Sequence, residues 1–233
     1  MPLEEGDFIL LDYVGKVKET GDIFETTLEE TAKEENLYQE GEIYEPKLVV
    51  IGEGWVLKAF DESLTEMEIG KTEKIEIPPK EAFGERDSEK VRRVSLRRLT
   101  SQGITPKPGT QIKYEGKTAT VRNVGAGRVL LDFNPPLAGK TLTYEATVQE
   151  KIETQEEKIK ALIHRRIPAV EKSKFQLTIQ EDTASIDMPE EAFYIEGIQL
   201  AKRGIAMDTQ RFFPELTTIK FVETFQKEDK TED

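Results

Sequence analysis

The chain has 233 residues, 34% of them charged, and a formal net charge of −13 at pH 7. That length is enough for a large core and more than one domain. The negative charge argues against duplex nucleic acid or an anionic membrane as the main partner of the surface. The chain has no cysteine, which excludes disulfides, cysteine nucleophiles and thiolate metal sites. No basic region precedes an apolar run at the N-terminus, and no apolar stretch reaches about 20 residues. We therefore expect no signal peptide, no membrane span and a cytoplasmic location.

The charge is unevenly distributed along the chain. Residues 1–86 carry 23 acidic and 9 basic side chains, whereas residues 87–133 carry 4 and 10. A basic block inside an acidic chain suggests an inserted module. Residues 134–233 are acidic again.

The first part of the chain predicts short strands and one amphipathic helix. Strands are predicted over residues 7–18, 47–51 and 72–78. A glutamate-rich, solvated loop is predicted over residues 27–45, and a helical turn within it stays open. Val56, Leu57, Phe60 and Leu64 recur at helical spacing, which predicts a helix over residues 56–66. A further strand is predicted over residues 141–151, where apolar residues alternate.

The basic block predicts a small β module. Four short strands are expected over residues 91–96, 110–114, 117–123 and 128–133, joined by turns rich in glycine and proline.

The tail predicts a separate α+β domain from about residue 152. Thr154 and Glu157 form a capping-box pattern that begins a helix ending before Pro168. A hairpin over 174–180 and 183–188, one longer helix from Pro189 to about Met207, and a last strand over 217–225 follow. Residues 227–233 are expected to fray.

Two features that mark active sites elsewhere have ordinary explanations here. Gly-Lys-Thr occurs three times, but the glycine that a phosphate-binding loop needs five positions earlier is absent each time. The single histidine, His164, is expected to lie in solvent at a helix end, where cations favour the dipole. The chain therefore offers no Ser-His-Asp site or transition-metal site, and we expect no metal and no cofactor.

The strongest functional signal is an ordered set of three segments. Asp12-Tyr13-Val14-Gly15 comes first, the glycine-punctuated turn and helix of residues 52–64 second, and Ile77-Pro78-Pro79-Lys80-Glu81-Ala82-Phe83-Gly84 third. In this order the segments resemble FK506-binding-protein-type peptidyl-prolyl isomerases. The stretch 85–140 further resembles the long bacterial and archaeal branch of that family, in which a chaperone module is inserted in the flap. The tail is similar to that of the long archaeal members and lacks the histidine-rich tail of bacterial relatives.

The resemblance implies an α+β fold in three parts. These are an antiparallel half-barrel around a short helix (residues 1–86 and 134–151), an inserted small β domain (residues 87–133) and a C-terminal α+β domain (residues 152–233).

The resemblance also implies an apolar pocket for a proline ring. Phe60 would be its floor, and the Leu57 N–H would receive a substrate carbonyl. The chain has Phe60, Phe83 and Glu25 where many members have Trp, Tyr and Asp. The implied pocket residues are Tyr13, Phe24, Glu25, Val56, Leu57, Phe60, Phe83 and Tyr144.

Such a site needs no ionising catalyst, which agrees with a chain that has one histidine and no cysteine. We therefore predict a prolyl isomerase and folding chaperone whose partners are unfolded or nascent proline-containing polypeptides. Two alternatives stay open. One is a non-catalytic holdase or adaptor on the same fold. The other is an RNA-associated protein that uses the basic run Lys90, Arg92, Arg93, Arg97 and Arg98, although nucleic acid is not the expected partner because few aromatics interleave with these charges.

The tail is also the predicted site of self-association. The helix at 189–207 carries more apolar residues than one covering face needs: Phe193, Ile195, Ile198, Leu200, Ala201 and Ile205. Such an excess favours a homodimer through the C-terminal domain. The alternative is that all of them pack on the three strands of the tail.

Overall fold

A computed structural model describes residues 2–226. It contains three sheets, which belong to the half-barrel, to the insert (residues 87–133) and to the tail (residues 152–226). The predicted α+β class and the antiparallel half-barrel are confirmed. The predicted fraying of residues 227–233 lies outside the described residues.

The half-barrel is a five-stranded antiparallel sheet. β1 (Phe8–Val17) pairs with β2 (Ile23–Thr26), β3 (Lys47–Val50) and β9 (Leu142–Ile152), and β4 (Thr72–Ile77) pairs with β9. Helix α1 (Glu29–Glu34) lies in the glutamate-rich loop. Helix α2 (Lys58–Ser63) begins two residues later than predicted and continues as a 3-10 turn over Leu64–Glu66.

The insert is a four-stranded antiparallel sheet in the order β5-β8-β7-β6. Its strands are β5 (Val91–Ser95), β6 (Gln111–Tyr114), β7 (Lys117–Gly125) and β8 (Arg128–Asp132). The sequence analysis missed helix α3 (Leu96–Thr100), which places the fully buried Leu99 in the core of the insert.

The tail begins with helix α4 (Gln155–Arg166), and the Thr154 hydroxyl accepts the Glu157 N–H as predicted. Strands β10 (Gln176–Gln180) and β11 (Thr183–Met188) form the predicted hairpin, and β12 (Thr218–Glu223) adds to β11 in parallel.

The single helix predicted from Pro189 to Met207 is wrong. The segment forms two helices, α5 (Glu190–Phe193) and α6 (Ile198–Phe212), separated by Gly197, whose φ is 78°. That left-handed conformation is one that glycine adopts without steric penalty and that an α-helix does not contain.

Most of the apolar residues that predicted a homodimer lie inside the tail. Leu200 is 75% exposed, whereas the other five pack in or against the tail core. Dimerisation stays a prediction, and one side chain of the original six now supports it.

β1 is covered on both faces. Ile9, Leu11 and Tyr13 face the half-barrel core, whereas Phe8 and Leu10 face the tail. Strand β9 has a bulge of one extra residue opposite Leu10 and Leu11. The even-numbered residues of β9 therefore face one side of the sheet before the bulge and the other side after it. Val148 therefore lies in the half-barrel core and Ile152 in the core shared with the tail.

The shared core joins the tail to the half-barrel. Phe8 and Val50 pack with Leu162 of α4, and the Phe8 and Phe212 ring centroids lie 5.1 Å apart. His164 is also engaged here, so its predicted position in free solvent is wrong. Its Nε2 lies 2.7 Å from Glu45 Oε1, and its Nδ1 lies 3.2 Å from the Val170 carbonyl oxygen.

The chain leaves the half-barrel for the insert near Arg86 and returns near Asn134. We call these two connections the neck, and residues of both contact Asp132. Asp132 is 1% exposed and accepts hydrogen bonds from Arg86 (2.8 Å), Arg122 (2.9 Å) and both the N–H and the side-chain amide of Asn134. Burial by itself would raise the pKa of the Asp132 carboxyl. The hydrogen bonds from Asn134 and Arg122, together with the nearby Arg86 charge, outweigh burial and lower the pKa to about 2.

We predict that Asp132→Asn lowers the free energy of opening of the insert by about 2 kcal/mol at neutral pH. This is the shift from 3.8 to about 2 at ~1.4 kcal/mol per pKa unit. Because the folded-state pKa is lowered, this stability is present above about pH 4 and is lost as the pH falls towards about 2. Amide hydrogen exchange in β7 and β8 of the full chain measures it.

The matched control is Glu115→Gln, since Glu115 forms an exposed ion pair with Arg98 in the same module. We expect a change of at most about 1 kcal/mol for it. Equal effects of the two substitutions, or a difference that does not shrink in acid, would contradict the role assigned to Asp132.

Candidate active site

A cup of about 260 Å³ opens where α2 crosses the concave face of the half-barrel. Seven of the eight predicted residues line it, and the eighth, Phe24, does not. The lining residues are Tyr13, Glu25, Trp55, Val56, Leu57, Phe60, Phe83 and Tyr144. Their roles in catalysis stay a prediction.

The floor of the cup is a cluster of three aromatic rings. Phe60 is 1% exposed and stacks on Tyr144, with ring centroids 4.3 Å apart and planes at 19°. Tyr13 meets Phe60 edge-on at 5.6 Å. The floor is thus an extension of the half-barrel core, and it offers a rigid apolar surface to a small ring.

Phe24 lies behind the cup. Its ring is edge-on to Tyr144 at 5.8 Å and covers the backbone of Gly15. A Cβ at position 15 would lie 2.8 Å from Phe24 Cζ and 3.0 Å from Glu25 Cγ. A larger residue at position 15 would therefore have to displace the Phe24 and Glu25 side chains, which favours glycine in the Asp12–Gly15 motif. Phe24 contacts the cup through Tyr144.

The rim carries one charged hydrogen bond. The Tyr144 hydroxyl donates to Glu25 Oε1 at 2.8 Å. Burial, with the Glu25 carboxylate close by, raises the pKa of Tyr144 and of Tyr13 above the usual value, so both hydroxyls stay protonated at neutral pH. The cup therefore holds one carboxylate and two neutral phenols.

The turn before α2 is fixed by a buried carboxylate. Asp61 accepts the Gly52 N–H at 3.0 Å and the Gly54 N–H at 2.9 Å. Both glycines have positive φ, which explains the glycine punctuation. The turn ends at Leu57, whose N–H donates to no backbone carbonyl within residues 2–226.

Trp55 is the lining residue that the sequence analysis missed. The tail holds it in place: the Arg165 guanidinium carbon lies 3.9 Å from the Trp55 ring centroid, and Phe212 meets its edge at 5.9 Å. Arg211 also pairs with Glu53 of the same turn. The only available signal was that the single tryptophan of the chain lies inside the glycine-punctuated motif.

The residues that the structure describes form neither a metal site nor a membrane-spanning helix. Within residues 2–226, no group of three or more histidine or carboxylate side chains is arranged to hold a metal ion. The helices in this part of the chain are also too short or too polar to cross a bilayer.

Models of known families match three parts of the chain. The model described as FKBP-type peptidyl-prolyl cis-trans isomerase matches residues 2–98, that of the FKBP26 IF domain residues 93–137, and that of the FKBP26 C-terminal domain residues 155–226. These ranges overlap the half-barrel, the insert and the tail, whose exact boundaries stay predictions.

Curated relatives carry names from the same family. A short-type peptidyl-prolyl cis-trans isomerase of Methanocaldococcus jannaschii is 31% identical over 64% of this chain and 93% of its own length. The isomerase SlyD of Helicobacter pylori is 31% identical over 52% of this chain and 66% of its own, and SlyD of Treponema pallidum is 28% identical over 50% and 68%. The matched family models and the similarity to these relatives show that the chain, whose cup has an aromatic floor, belongs to the family of FKBP-type peptidyl-prolyl cis-trans isomerases.

Proposed function

We propose that the cup accelerates rotation about the bond before proline in unfolded or nascent polypeptides. One observation carries this proposal: an aromatic floor lies beneath a turn whose last N–H, that of Leu57, has no backbone partner within residues 2–226. The floor would receive the proline ring, and the N–H would receive a carbonyl oxygen of the substrate.

The mechanism needs no proton transfer. Rotation crosses a barrier of ~18–20 kcal/mol because amide resonance is lost in the twisted state. An apolar cup removes the water that stabilises the polar planar amide, and its shape favours the twisted amide. Each ~1.4 kcal/mol of selective stabilisation gives a tenfold rate increase.

We predict that Leu57→Pro lowers kcat/KM for a short prolyl peptide about fivefold more than Leu57→Ala does. Both variants lose the leucine side chain, but only proline removes the N–H, and one hydrogen bond contributes about 1 kcal/mol. The φ of −57° at Leu57 lies within the range that proline adopts, so the turn should persist. A protease-free NMR exchange assay measures the rates.

A second pair of variants tests the cup without altering the backbone. Phe83 is 44% exposed at the rim, so Phe83→Asp should not bury a charge in the core. Phe225→Asp, at a 70% exposed site on the tail, is its control. Phe83→Asp should lower activity and Phe225→Asp should keep it. If Phe83→Asp and Leu57→Pro both fold and keep full activity, the site assignment is wrong.

We also propose that the insert holds client polypeptides for the cup. The support is its similarity to the FKBP26 IF domain and its position at the end of the neck. Most of its large apolar side chains lie in its own core or are partly buried against it, and none of the strongly exposed ones belongs to residues 87–133. A client would therefore contact partly buried residues such as Leu96, Ile104 and Ile112.

We predict that replacing residues 87–133 with a short linker leaves isomerisation of short peptides within about twofold. Catalysis of a proline-limited protein refolding reaction should fall by about tenfold or more, because the insert would no longer raise the concentration of client near the cup. Stopped-flow refolding and peptide exchange compare the two. Equal losses in both assays would contradict a holding role.

The runner-up function is a non-catalytic holdase on the same fold, and the Leu57 and Phe83 variants separate it from the enzyme. The basic run gives RNA binding little support, since Arg98 pairs with Glu115 and lies over Tyr114, and Arg92 lies over Phe133. A cytoplasmic location and a homodimer stay predictions.

A further inference from the structure

A large groove continues from the cup along the junction of the half-barrel and the tail. It has a volume of about 1020 Å³, roughly four times that of the cup. The two cavities share Tyr13, Glu25, Trp55 and Val56. A molecule seated in the cup can therefore extend into the groove without leaving the protein surface.

The half-barrel and the tail each supply one wall of the groove. The half-barrel contributes the loop and strand of residues 41–49, with Ile43 and Pro46. The tail contributes the end of α4 and the loop after it, with Arg165, Pro168 and Ala169. The half-barrel alone therefore forms only one of the two walls.

The two walls are held in a fixed relation by contacts on both sides of the groove. The His164–Glu45 contact of 2.7 Å joins them at the lip, and Arg165 stacks on Trp55 at the mouth of the cup. Beneath them lies the shared core around Phe8 and Phe212. A preformed groove loses little freedom when it binds a flexible ligand.

We propose that this groove binds the residues of a client polypeptide that flank the proline in the cup. The inference rests on the proposed isomerase function and adds a second, sequence-tolerant site to it. A bound proline must have neighbours outside the cup, and an extended chain advances about 3.3–3.6 Å per residue, so several residues can follow the groove.

The chemistry of the groove suits a polypeptide and not a nucleic acid. Apolar side chains line its interior, and Ile43 is 40% exposed there. The charged lining residues have both signs and no positive excess: Glu25, Glu42, Glu45 and Glu171 against Lys47, Arg165 and Lys172. Such a lining accepts apolar and charged side chains alike, whereas a phosphate backbone requires an excess of cations.

The test compares a four-residue prolyl peptide with two peptides that add about six mixed apolar and charged residues before or after that core. On the full chain, we expect at least one extension to raise kcat/KM about tenfold. Ile43→Asp and Ala169→Trp should abolish the gain and leave the short peptide unchanged. In the unaltered chain and in Ile43→Asp, binding can be followed through Trp55, the only tryptophan of the sequence, which lines both cavities.

The matched control is Ile69→Asp. Ile69 is 42% exposed, as Ile43 is 40%, but it lies outside both cavities. It should keep the whole gain. The proposal is overturned if neither extension raises kcat/KM, if both groove variants keep the gain, or if they lower activity equally on short and long peptides. Absence of activity on the short peptide with the unaltered chain would instead overturn the proposed function.

Discussion

The stacking of Phe60 on Tyr144 is the contact on which the half-barrel depends. It joins the short helix α2 to the central strand β9, and Tyr13 adds an edge-on contact to Phe60. A six-residue helix has little stability of its own, so tertiary packing of this kind must hold it. The same rings form the floor of the cup. Core packing and the candidate site are therefore one set of contacts, and any change in the floor also affects the stability of the fold.

The second constraint is that the first half of β1 is covered on both faces. Phe8 and Leu10 turn towards the tail while Ile9 and Leu11 turn towards α2, which explains four consecutive apolar residues in one strand of an antiparallel sheet. The tail reaches from this shared core to Trp55 and Glu53 in the turn before α2. It thereby contacts the cup without supplying a residue to its floor, and it creates the second wall of the groove.

Each wrong sequence prediction has a specific physical cause. Pro189 and the apolar periodicity favoured one long helix, but Gly197 adopts a left-handed conformation and divides it. A histidine beside Arg165 and Arg166 at a helix end favours a solvated imidazole, because cations there suit the helix dipole, yet the loop that carries Glu45 packs against His164. The run Phe8–Leu11 was a usable signal that both faces of β1 are covered. Nothing local indicated that Asp132 would accept four hydrogen bonds, from Arg86 and Asn134 in the two crossings of the neck and from Arg122 in β7.

The sequence by itself determined most of the elements, because the periodicity of a short segment decides which of its side chains share a face. The family resemblance carried by the ordered motifs implied the half-barrel and its pocket, and seven of the eight residues it implied line one cavity. The tertiary structure alone decided that Phe24 lies behind Tyr144 and that Trp55 lines the cup. It alone also decided that the tail packs against the half-barrel and forms a groove with it. Those outcomes depend on contacts between residues more than a hundred positions apart, such as Trp55 with Arg165, and no local pattern encodes such a distance.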